Sequence, residues 1–152
     1  MNTITLAPTV EESRTMEPVE IIVTEQEHPL QQELRQFIGT MEWHKWSHLF
    51  SNFLLTDGAL WLAQEAGAYW LMDLIASHFT KRKVRREQFQ VWRLKRYDRD
   101  THKNDAIVKA DDGNGNHLTQ QLIPYTDFPL DEIKLYVSWS DGYWVIMLPS
   151  EY

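Results

Sequence analysis

Cysteine is absent from the 152 residues, which excludes disulfide frameworks, thiolate zinc sites, iron–sulfur clusters and thiol nucleophiles together. Also missing are a GxGxxG turn, a Walker loop, a GxSxG elbow and an HExxH helix, so the common nucleotide-using and hydrolytic signatures are not there. The stretch Met1–Pro8 has no basic region and no sustained apolar run, so no secretory signal is read and the expected compartment is the cytoplasm. Residues 58–79 are mostly apolar, but Gln64, Glu65 and Asp73 interrupt them. Each acidic residue near the centre of a span costs ~2.5–3.5 kcal/mol on insertion scales. The stretch therefore reads as a core helix, and no membrane partner is expected. Neither is a cofactor.

What is present suits one core. Apolar residues make up 43% of the chain and aromatic residues 12%, with seven tryptophans, enough large side-chain area for a single domain to hold itself together. Residues 1–27 carry six glutamates against Arg14 alone, with no lasting periodicity, and read as a disordered acidic tail; residues 28–152 read as the domain. Pro29 followed by Leu30, Leu34, Phe37 and Ile38 predicts a short amphipathic helix over 29–38. Residues 40–53 read as an aromatic-rich connection. Thr56-Asp57-Gly58 caps a second helix expected to run unbroken to about Ser77, apolar nearly all round and so buried on several sides. Gly67 inside it costs ~1 kcal/mol of helix propensity, which close approach of another element would explain.

After residue 88 the apolar period becomes two: Trp92 and Leu94; Val108 and Ala110; Leu118 and Leu122; Ile133 to Trp139; Trp144 to Leu148. Five strands are predicted, joined by hairpin chemistries at Gly113-Asn114-Gly115-Asn116 and Ser140-Asp141-Gly142. The expected fold class is α+β, with N-terminal helices, one of them long and buried, on a roughly five-stranded antiparallel meander.

The net charge of −7 is unevenly spread. Ten of the fifteen Lys and Arg residues lie between Lys81 and Lys103, against three acidic residues there, so this segment carries +7 and the rest −14. Lys81, Arg82, Lys83, Arg85, Arg86, Arg93, Lys95 and Arg96, interleaved with Phe89, Trp92 and Tyr97, form the candidate binding set: cations take phosphates and aromatics stack on bases. The bland alternative is a solvated charged face that complements the end of a buried helix. Asp127, Asp131 and Glu132 crowd together beside Tyr125 and Phe128. With a histidine such as His117 they could form a general acid and base pair, or they simply line a loop stiffened by Pro124 and Pro129. His44 and His48, four apart, would share a helix face and could share a metal, although no third ligand is evident. Asp112 to Asn116 matches the start of a calcium loop, but His117 and Ile123 stand where that loop needs glycine and glutamate, so a plain hairpin is read.

The strings TDG (56–58), EAGAYWLMD (65–73), FQVW (89–92), DDGNGN (111–116), YTDFPLDEI (125–133) and LPSEY (148–152) resemble a family of small prokaryotic proteins, a domain of unknown function met in bacterial genomes and on mobile elements. The resemblance covers roughly residues 40–152. It implies a prokaryotic, cytoplasmic setting and no reaction, ligand or catalytic residue. From the residues themselves the expected function is a non-catalytic binding module whose basic, aromatic face engages nucleic acid, another polyanion or an acidic protein surface. The alternative is a small carboxylate-dependent hydrolase or lyase.

Overall fold

A computed structural model describes residues 28–97 and 105–152, so the expected tail over 1–27 lies outside the described residues. The described chain is mostly β. Helix α1 (Pro29–Leu34) leads to strand β1 (Trp43–His44), strand β2 (Phe53–Thr56), helices α2 (Asp57–Glu65) and α3 (Tyr69–Ser77), a 3-10 turn over His78–Thr80 and helix α4 (Arg82–Arg85). Five strands follow, β3 (Phe89–Arg96), β4 (Ala106–Asp111), β5 (His117–Ile123), β6 (Glu132–Ser140) and β7 (Tyr143–Met147), and a 3-10 turn over Pro149–Glu151 closes the chain.

All seven strands form one mixed sheet in the order β1-β2-β7-β6-β3-β4-β5. The expected α+β arrangement, with a long buried helix on a five-stranded antiparallel meander, is corrected on three points. First, the sheet has two further strands. Every residue of β2 is buried: Phe53 and Leu55 face the helix layer, while Leu54 packs with Val145 and Met147 on the opposite side. A strand buried on both faces shows no alternation, so its period is invisible in the sequence. Second, β2 runs parallel to β7, pairing Phe53 with Trp144 and Leu55 with Ile146. The order is also not a meander, because β6 returns across the Pro124–Asp131 loop to pair with β3 on the side away from β4.

Third, the long helix is two short ones. Gly67 has φ +60°, and the Ala68 N–H reaches back to the Ala63 carbonyl at 2.8 Å while the Ala66 N–H holds the Leu62 carbonyl at 2.9 Å. This is a left-handed C-terminal cap, the conformation for which glycine is the default. No other atom lies within 4 Å of where a Cβ would stand, so close approach does not explain Gly67; termination does. The first helix is likewise shorter than the period over 29–38 suggested.

The helices cover one face of the sheet. Leu62, Leu71, Met72 and Ile75 from the helix layer meet Trp92, Leu94, Leu135 and Ile146 from the sheet, all of them buried. Alternation then sends Arg93, Lys95, Ile107, Lys109, Glu132, Lys134 and Tyr136 to the other face, away from the helix layer of the described residues. No helix among the described residues is long and apolar enough to cross a membrane.

Candidate polyanion interface at one end of the sheet

The pairing register brings five strand ends together. Phe89 lies opposite Ser138, Asp111 opposite both Val91 and His117, and Trp144 opposite both Trp139 and Phe53. The start of β3, the end of β4, the start of β5, the end of β6 and the start of β7 therefore share one rim of the sheet. Helix α4 stands at that rim, anchored by the fully buried Val84. Gln90 fixes its exit. The side-chain amide donates to the Val84 and Glu87 carbonyls at 2.7 and 2.9 Å, and its oxygen accepts the Trp92 indole N–H at 2.8 Å. With only four residues and one buried side chain, α4 leaves Arg82 and Lys83 exposed, as is Arg86 at its C-cap, and among the described residues no carboxylate pairs with any of the three. Arg85 is held by its own backbone, donating to the Phe79 and Thr80 carbonyls at 3.1 and 2.9 Å.

Lys81 is tied down by a buried histidine. Its Nζ lies 3.1 Å from His78 Nδ1 and 2.8 Å from Thr119 Oγ1, and His78 Nε2 is 2.7 Å from Gln121 Oε1. An ammonium only donates, so Nδ1 accepts and Nε2 carries the proton that Gln121 receives, which defines a neutral imidazole. Burial pushes the His78 pKa below its ordinary value, the Lys81 charge adds to that, and the Gln121 bond opposes it.

On the open face Arg93 lies directly between Lys109 and Lys134. Like charges opposite one another on neighbouring strands are unfavourable, and among the described residues Asp111, ion-paired with Arg93, relieves this row. Beside it is a concavity of about 240 Å³ lined by Arg93, Lys95, Lys109, Asp111, His117 and Glu132 among others. A second, of about 540 Å³, shares Gly115 and His117 with it and is lined also by Lys83, Arg86, Glu87 and Asp112. The two concavities thus lead from α4 round the β4–β5 hairpin to the open face, with the carboxylates of Glu87, Asp111 and Asp112 set among the cations. The hairpin is a tight one, as its Asn-Gly chemistry predicts: Asp112 accepts the Asn114 and Asn116 N–H groups at 2.8 and 3.1 Å, and these bonds, with the Asn116 side chain at 2.7 Å the largest influence, hold its carboxyl below the ordinary range.

On the far side of α4 a third concavity, of about 430 Å³, is lined by Asn52, Arg85, Arg86, Gln88, Trp139 and Trp144. A fourth, of about 250 Å³, lies at the opposite rim near Glu132, Lys134 and Ser150.

The candidate residues are therefore distributed differently from their order in the chain. Lys81, Arg82, Lys83, Arg85 and Arg86 gather at the α4 rim, and Arg93 and Lys95 lie on the open face. Arg96 has the opposite strand parity and turns under the helix layer, where its Nη1 donates to the Phe128 carbonyl at 2.9 Å and its buried Nε has no partner among the described residues. It clamps the Pro124–Asp131 loop. Of the proposed acid and base set, Glu132 and His117 line one concavity, whereas the exposed Asp127 and Asp131 line none of those described. His44 is on a strand and not on a helix, so the four-residue spacing does not align it with the exposed His48. Its Nε2 pairs with Asp57 at 2.8 Å, and that contact, with the Met41 N–H at 2.7 Å, keeps the Asp57 carboxyl below its usual range. No cluster of three metal-ligating side chains exists among the described residues. Sequence reasoning missed Lys109, Lys134 and Trp139. The first two are isolated lysines in the chain, and only strand pairing sets them beside Arg93.

A single mixed sheet, covered by helices on one face and bearing a cationic rim, defines the class of this domain. The chain belongs to a family of unknown function, DUF6876, which it matches over residues 28–152. No curated protein and no solved structure matches it at a significant level.

Proposed function

We propose that this protein is a non-catalytic binding module that engages a polyanion through the cations of α4 and the adjoining open sheet face. The observation that carries the reading is the trio Arg82 and Lys83, on one short helix, and Arg86, which caps it, all exposed with no carboxylate partner among the described residues. The Lys109–Arg93–Lys134 row supports it, since the register sets three cations side by side at a cost in stability that a bound anion relieves. Because phosphate neutralisation releases counterions, affinity falls linearly in log K against log salt, with a slope of about −0.7 to −0.9 per contact. A cytoplasmic, prokaryotic setting belongs to the same reading.

The test is binding to heparin and to mixed-sequence nucleic acid across a salt series. The wild type binds at low salt, and the triple charge reversal Arg82→Glu, Lys83→Glu, Arg86→Glu weakens binding at least tenfold and flattens the salt slope. A wild type that binds no polyanion at low salt sinks the proposal.

A further inference from the structure

The concavity between α4 and the β6–β7 hairpin differs from the other three. Each of those is lined by at least one carboxylate; this one has two guanidinium groups, two indoles and two carboxamides, and no acidic residue. Trp139 is 42% exposed at the end of β6. It stands where the strand passes beyond the helix layer, so one of the largest apolar side chains of the molecule is left partly in water. Exposed it is, but not loose. The Trp139 ring rests on Trp144 at 5.0 Å between centroids, Trp144 on Phe79 at 4.7 Å, and Phe79 on Phe53 at 4.9 Å. This file of aromatics runs from the core to the rim and ends at Trp139. Its backbone is fastened as well, the Trp139 N–H donating to the Gln88 carbonyl and the Trp144 N–H to the Asn52 carbonyl, both at 2.9 Å. Beside the ring, Arg85 is oriented by two backbone carbonyls, and Arg86 also lines the concavity on the other side of α4, together with Lys83, Glu87 and Asp112.

We infer that this cleft is a nucleobase subsite for single-stranded nucleic acid: Trp139 stacks on an unpaired base, Arg85 and Arg86 take the flanking phosphates, and the carboxamides of Asn52 and Gln88 reach the base edge. The inference rests on the polyanion reading above and narrows it from any polyanion to a single strand. A packed, half-exposed indole next to an oriented guanidinium, Arg85, and an exposed one, Arg86, suits a base, because every base has a face to stack and every nucleotide a phosphate to hold. A duplex keeps its bases stacked on one another, and a sulfated polysaccharide has none. Arg86 joins the subsite to the path past Lys83 and His117, so a strand seated on Trp139 continues along the rim towards the open sheet face.

The full-length protein is titrated with an oligothymidylate of about a dozen nucleotides, within the usual site size of such proteins, with a duplex of equal length, and with heparin. Tryptophan fluorescence reports binding, and a second ligand is run in competition. The expected result is a single strand that binds more tightly than the duplex and quenches emission, while heparin binds without that quench. Trp139→Ala lowers affinity for the single strand about tenfold and leaves heparin binding unchanged; Trp139→Phe keeps most of the affinity but loses the quench. Duplex binding as tight as single-strand binding, or equal effects of Trp139→Ala on oligothymidylate and heparin, overturns the subsite while the polyanion reading stands. Absence of binding to all three ligands at low salt overturns both. Should Trp139→Ala fail to fold, the wild-type preference and the Trp139→Phe quench decide the matter.

Discussion

Gln90 is fully buried on the helix-covered side of β3, near its start, a position that costs free energy unless every polar atom is paired. Its three hydrogen bonds meet that demand and couple Trp92 to the exit of α4. Gln90→Leu leaves the Trp92 indole N–H and two carbonyls without this partner, and we expect it to lower unfolding free energy by ~2–4 kcal/mol; a loss under ~1 kcal/mol in urea titrations would show that the network is not structural. His78 makes a second prediction with a definite sign. Its ordinary pKa is 6.5 and the fold holds it lower, so the unfolded chain takes up a proton that the folded chain refuses. Stability contributed by the neutral imidazole is complete above about pH 6.5 and declines as pH falls towards the folded value. Urea midpoints measured between about pH 7.5 and pH 5.5 should drop more steeply for the wild type than for His78→Gln, and parallel profiles would refute the assignment. Neither role is legible in the chain: Gln90 and His78 look like surface residues until the partners Val84, Thr119 and Gln121 come near them.

Side chains distant in the chain fasten the ends of some elements. Glu151, in the last 3-10 turn, accepts the Thr56 hydroxyl at 2.6 Å, the Gly58 N–H at 2.8 Å and the Leu148 N–H at 3.0 Å. Its carboxylate thereby plugs the N-terminus of α2, where the helix leaves N–H groups unpaired and a negative charge is welcome. Gly58 is small for this reason, since a Cβ there would lie 2.6 Å from Glu151 Oε1 and from Leu148 Cδ1. Glu151→Ala is expected to cost ~1–3 kcal/mol in thermal or urea unfolding, and an unchanged midpoint would mean that water replaces the carboxylate without loss. The cap within Thr56-Asp57-Gly58 and the positions of β3 to β7 were readable because they depend on local spacing, although β5 and β7 do not alternate and Leu122 is exposed. The end of α2 at Gly67 was misread because a glycine within an apolar run is compatible with continuation; the sign of its φ, which ends the helix, belongs to the three-dimensional path.

Across the whole molecule the charges are sorted by strand parity. One basic run in the chain becomes a helical rim, an open-face row and the half-buried Arg96, and the row is completed by Lys109 and Lys134 from elsewhere. The segment 1–27 brings six glutamates and one arginine, so its removal takes the net charge from −7 to −2. Long-range repulsion of an anionic ligand then falls at low ionic strength and is screened beyond ~10 Å at 0.1 M salt. Deleting residues 1–27 should tighten heparin binding at low salt and make no difference at high salt; equal affinity at both salts would show that the tail exerts no influence on this surface.

What the sequence determined by itself is what depends on neighbours in the chain: the absence of thiol chemistry, the cap within Thr56-Asp57-Gly58, the positions of β3 to β7, the Asn-Gly hairpin and the concentration of cations after Lys81. Tertiary structure decided the rest. β2 became a strand because β7 offered a parallel edge and both of its faces could be buried. Arg96 left the binding set because its strand parity points it under the helices, while Lys109 and Lys134 came to flank Arg93 through pairing. Trp139 indistinguishably resembles a core residue in the sequence, since alternation assigns it to the covered face; only the extent of the helix layer leaves its ring at the rim, because a covering element's length is set by where its own helices end and not by the strand beneath.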